Sequence, residues 1–61
     1  MSNESRLLIL CHLAEEEKSV GELQVLVKLS QSALSQHLAV LRRDELVSTR
    51  RLAQSIFYRL N

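Results

Sequence analysis

Sixty-one residues hold one domain, and a chain this short buries only about 60% of its unfolded surface, so a staple or a partner subunit is expected. A single cysteine, Cys11, excludes an internal disulfide, and with only His12 and His37 beside it a closed four-ligand metal site is excluded too. The hydrophobic fraction is 46% and no apolar run nears the ~18 residues of a membrane span, so the chain reads as a cytoplasmic globular domain without membrane segment, signal peptide or cofactor.

The net charge of +1 is unevenly spread. Residues 1–30 carry three basic against five acidic side chains, and residues 31–61 carry five basic against two acidic. Every cation of the second half is an arginine: Arg42, Arg43, Arg50, Arg51 and Arg59. Guanidinium groups bond phosphates and guanine edges bidentately, so this bias suits a nucleic-acid face.

In chain order, the first helix spans about Glu4 to Ala14. Leu7, Leu10, Cys11 and Ala14 recur at helical spacing, and Leu8 and Leu13 widen the stripe. Ser2 or Asn3 can cap it. A helix apolar around so much of its circumference is expected to lie between other elements. Glu15-Glu16-Glu17-Lys18 reads as a polar, solvated connection. Ser19-Val20-Gly21-Glu22 matches the capping box, so a second helix starts there, with Leu23, Leu26 and Val27 facing inward and an end near Lys28-Leu29. Ser30 caps a third helix, whose Leu34, Leu38 and Leu41 form a narrow buried stripe. Its opposite side carries Gln31, Ser32, Ser35, Gln36, Ala39, Arg42 and Arg43, with no acid before Asp44. Leu46–Leu52 and Ser55–Leu60 read as strands, and Ala53-Gln54 as the turn between them, although the turn lacks the usual glycine. The fold class is therefore mainly α with a small β-hairpin. It is a winged helix-turn-helix over residues 1–61, three helices followed by a two-stranded wing.

This order points to double-stranded DNA. A major groove about 12 Å wide admits one helix, whose groove-facing residues must be small or able to hydrogen-bond. Gln31, Ser32, Ser35 and Gln36 meet both conditions on the first turns of the third helix, where base edges are read. Arg42 and Arg43 are placed to reach phosphates, and Arg50, Arg51 and Gln54 reach an adjacent groove or backbone from the wing.

The stretches Ser19-Val20-Gly21-Glu22-Leu23, Leu29 to Leu38 (LSQSALSQHL), Leu41-Arg42-Arg43-Asp44 and Leu46-Val47 resemble the ArsR/SmtB family of bacterial repressors. The opening Arg6 to Cys11 and the wing Arg50 to Tyr58 are most similar to its HlyU/BigR-like, redox- or sulfur-responsive branch. The resemblance covers nearly the whole chain. It implies a homodimeric repressor that leaves its operator on sensing an inducer, with DNA contacts from the matching Gln31, Ser32, Ser35 and Gln36. The Cys-x-Cys box of the family's metal sensors is replaced here by Ser19-Val20-Gly21, so the resemblance implies no metal at that place. It puts most of the family's dimer-forming helices outside this chain. Glu45 stands where the family usually has glycine, which implies a stiffer or differently shaped turn, and Leu52 where the wing is usually polar.

Cys11 matches the first sensing cysteine of that branch, whose partner cysteine lies on a helix outside this chain. Its place on the apolar stripe instead favours a small buried hydrophobe, with a thiol sensor as the alternative. His37 reads as a satisfied structural histidine at the edge of the buried stripe. No serine, histidine and acid are arranged for catalysis, so the chain is not read as an enzyme. Two functions remain: a sequence-specific DNA-binding regulator, or a truncated winged-helix module that acts through contact with a full-length relative.

Overall fold

The computed structural model describes residues 3–61. The elements are α1 (Asn3–Glu15), β1 (Lys18–Ser19), α2 (Val20–Val27), α3 (Gln31–Arg43), β2 (Val47–Leu52) and β3 (Ser55–Leu60). Ser2, one of the two residues able to cap α1, lies outside the described residues.

Helix α1 turns a different face inward from the one its spacing suggested. Ile9 and Leu13 are fully or nearly fully buried and Leu10 packs beside them, while Leu7, Cys11 and Ala14 are exposed. Its apolar residues surround the axis, so periodicity carries no preferred direction. The choice is made by packing against α2, α3 and β3. The outer side, with Leu7 62% exposed, is not covered by any element of the described residues.

The connection after α1 is more ordered than a solvated loop. Lys18 and Ser19 form a two-residue strand paired with β3, so the wing is the outer part of a three-stranded antiparallel sheet of order β1-β3-β2. Lys18 stands opposite Tyr58 and shares its buried face. Its ammonium reaches the edge of that face, where Glu16 accepts a hydrogen bond at 3.3 Å.

Both expected caps are present. Glu22 N donates to Ser19 Oγ at 3.2 Å and Ser19 N donates to Glu22 Oε1 at 2.8 Å, closing a capping box. Ala33 N donates to Ser30 Oγ at 3.1 Å and fixes the start of α3. The interval between α2 and α3 is short because Lys28 takes a left-handed conformation (φ 55°), while Leu29 packs on the core from the turn. Leu34, Leu38 and Leu41 are buried as the stripe requires, in one core cluster with Leu23 and Val27 of α2. Leu26, expected on the inner face, is 42% exposed.

Helix α3 ends in a Schellman motif. Leu46 N donates to Leu41 O at 2.9 Å and Glu45 N donates to Arg42 O at 3.0 Å. Glu45 sits at φ 60°, in the left-handed region that favours glycine. The turn thus keeps the shape a glycine would give it, rather than the altered shape expected, and carries the steric cost of a side chain there. Asn61 braces it, donating from Nδ2 to Glu45 O at 2.8 Å and from its backbone N to Leu46 O at 3.0 Å. The two-residue wing turn likewise holds Ala53 at φ 56°.

Candidate nucleic-acid interface

Helix α3 stands on Leu34, Leu38 and Leu41, and this burial dictates what faces outward. Gln31, Ser32, Ser35 and Gln36 are all exposed on its first turns, and Ala39, Arg42 and Arg43 continue the face. The surface is thus low, uncharged and rich in hydrogen-bonding groups at its N-terminal end, and cationic at its C-terminal end. Arg43 is only loosely engaged, by a 3.5 Å contact with Asp44.

The hairpin rises beside this helix and leaves a cleft of about 590 Å³. Gln31 and Ser35 of α3, Gln54 and Ser55 of the wing, and Gly21 and Gln24 of α2 line it together. No ionised side chain lines it. Three of the residues expected from the sequence, Gln31, Ser35 and Gln54, therefore meet around one space. Gly21 and Gln24 were not expected there. Gln24 is a half-buried polar residue between Leu23 and Val25, a break in the apolar run from Leu23 to Val27 that could have flagged it. Gly21 has a negative φ, and a Cβ on it would meet only Ser19 Oγ at 3.9 Å. Its missing side chain leaves space in the cleft without being required by the backbone.

The two wing arginines are not equivalent. Arg51 stands opposite Ile56, which lines the cleft, and is exposed on that side of the hairpin. Arg50 stands opposite Phe57, on the other face. There its Nη2 and Nε donate to the two oxygens of Glu17 at 2.6 and 3.0 Å, and its guanidinium lies 6.0 Å from the centre of the Phe57 ring. The hydrogen bonds from Arg50 hold the Glu17 carboxyl below its ordinary value. Glu22 is lowered as well, first by the backbone hydrogen bond from Ser19.

Cys11 is exposed on α1, not buried as one of its two readings required. His37 is buried within α3, but its Nδ1 has no hydrogen-bond partner, so it is a core side chain without the expected satisfaction. Among the described residues no three His, Cys, Asp or Glu side chains converge in a way that could hold a metal ion, and no helix is long and apolar enough to cross a membrane.

Residues 3–49 match the model of the bacterial regulatory proteins of the arsR family. The chain belongs to the ArsR family. Among relatives it is 64% identical to the transcriptional activator HlyU of Vibrio cholerae, over 100% of this chain and 56% of that protein. It is 62% identical to the nodulation protein NolR of Rhizobium meliloti, over 95% and 48% of the two chains. It is 48% identical to the biofilm growth-associated repressor of Agrobacterium fabrum, over 98% and 51%. The solved structure of Vibrio cholerae HlyU superposes with a TM-score of 0.94, covering 100% of this chain and 66% of that one. This ArsR-family chain therefore spans about half the length of the curated relatives it matches, and its winged-helix architecture is theirs.

Proposed function

We propose that this chain is the DNA-reading part of a cytoplasmic transcriptional regulator that binds a two-fold related operator as a homodimer. The observation that carries the reading is the exposed N-terminal face of α3, Gln31, Ser32, Ser35 and Gln36, flanked by a cleft that the wing closes on one side. Gln can pair bidentately with adenine and Ser with bases or phosphates. Arg42, Arg43 and Arg51 supply phosphate contacts around that face, and Gln54 reaches the backbone from the wing tip. The relatives include a transcriptional activator and a repressor by name, which supports a regulatory role of either sign. Repression follows where the operator overlaps a promoter. A homodimeric winged helix-turn-helix DNA-binding domain from Mycobacterium bovis, 30% identical with a TM-score of 0.90, supports the dimer.

Release by a redox or sulfur signal is read at Cys11. Its exposure gives an oxidant or persulfide access to the thiol. Cys11→Ser is expected to leave DNA affinity unchanged under reducing conditions and to abolish any loss of affinity on oxidation. Oxidant-driven release that persists in Cys11→Ser would remove Cys11 from the reading.

The function is tested by selection from a random duplex pool and by the salt dependence of binding. An enriched palindrome, with log K falling linearly against log salt, is expected, because phosphate contacts release condensed counterions. Binding that neither selects sequence nor responds to salt would contradict it.

A further inference from the structure

The sequence reads Glu17 as part of a solvated acidic loop, and the structure gives it a bidentate partner thirty-three residues away. Because the strand order is β1-β3-β2, a side chain just ahead of β1 must pass over β3 to reach Arg50 in β2. The Glu17–Arg50 pair does this, with the Phe57 ring of β3 beneath the guanidinium. The register places Arg50 and Phe57 on one face of the hairpin, while Ile56 and Tyr58, which line the cleft, belong to the other. Beyond this tie, residues 51–56 are all exposed. Strand β1 holds β3 through two residues only, Lys18 and Ser19, so little else crosses the sheet toward the wing tip.

We infer that Glu17 is a positioning residue for DNA binding: with Arg50 it straps the outer face of the three-stranded sheet and so aims the inner face of the wing, with Arg51 and Gln54, at the duplex. The inference rests on the proposed DNA-binding function. It removes Arg50 from the direct DNA contacts expected of it and assigns a role to an acid. Two oxygens on two guanidinium nitrogens fix direction as well as distance, which a single contact does not. The Arg50 hydrogen bonds hold the Glu17 carboxyl below its ordinary value, so the strap stays ionised further into the acid range.

The sign of its effect separates this role from simple electrostatics. Removing a negative charge near a polyanion should tighten binding; removing a strap should weaken it. Glu17→Gln is therefore expected to weaken duplex binding about fivefold, the upper end of what an exposed ion pair supplies, with an unchanged salt slope. The Glu17→Arg, Arg50→Glu double variant restores the pair in reverse and is expected to recover most of the affinity that Arg50→Glu alone loses. Hydrogen exchange of the β2 and β3 amides is measured alongside, and exchange near Phe57 is expected to quicken in Glu17→Gln while the α3 amides keep their protection. Equal or tighter binding by Glu17→Gln overturns the inference. So does a double variant no better than Arg50→Glu, which would mean that Arg50 itself touches phosphate. A wild-type chain that ignores duplex DNA would overturn the function and the strap's role in it together; the exchange data alone would then decide whether the strap orders the wing.

Discussion

Three non-glycine residues, Lys28, Glu45 and Ala53, occupy left-handed backbone, while the single glycine, Gly21, does not. Three of the connections among the described residues are thus made against local preference, at a cost of about 1 kcal/mol per residue. Glu45→Gly is expected to raise stability by about that amount, read as a higher urea midpoint at unchanged slope. An unchanged or lower midpoint would show that the Asn61 brace already offsets the strain. The hydroxyl caps work in the opposite direction: Ser30→Ala should lower stability by about 1 kcal/mol in the same assay. The carboxyls of Glu17 and Glu22 both titrate below their ordinary value of 4.5 when folded. Their contribution is then fully present above pH 4.5 and is lost as pH falls through the lowered folded values. Glu22→Gln should accordingly flatten the acid limb of the stability profile and leave its shape at pH 7 unchanged. The serine caps were legible in the sequence because each depends on residues within three or four positions, whereas the left-handed turn at Glu45 was not, because a glutamate carries no local mark of it. The partner of Glu17 was not, because nothing local marks an acid that bonds across three strands.

At the scale of elements, α3 was the most legible part of the molecule. Its stripe of Leu34, Leu38 and Leu41 is narrow, so one orientation wins and the opposite face follows. Helix α1 was the least legible, for the converse reason: apolar all round, it offers no direction until its neighbours are in place. Gln31, Ser35 and Gln54 could be anticipated as DNA-facing residues, while their meeting with Gly21 and Gln24 around one cleft could not. Their meeting depends on how α2 lies under the wing. The α3 assignment predicts that Ser35→Glu lowers operator affinity by tenfold or more, since one lost base contact alone is worth about 1–3 kcal/mol. The variant should fold as the wild type does, because Ser35 is exposed. Electrophoretic mobility shift with the selected duplex checks this, and undiminished binding would move the reading face off α3.

At the scale of the whole molecule, nine of the described residues form one small core drawn from every helix and from both long strands. That core explains how 61 residues hold a reading helix and a wing in fixed relation. It leaves Leu7 and Leu8 of α1 in solvent, on the side away from the core residues Ile9 and Leu13. Binding through two half-sites adds about 10²–10⁴ in avidity over one, so occupancy of a palindrome by this chain should rise steeply with protein concentration where dimers form. The most direct test of the DNA-reading face is an amide chemical-shift titration of the ¹⁵N-labelled chain with a selected duplex. Perturbations are expected to concentrate at Gln31 to Gln36, at Gly21 and Gln24, and at the wing tip from Arg51 to Ser55, all fading with added salt. Perturbations confined to α1, with α3 and the wing unmoved at saturating duplex, would contradict it.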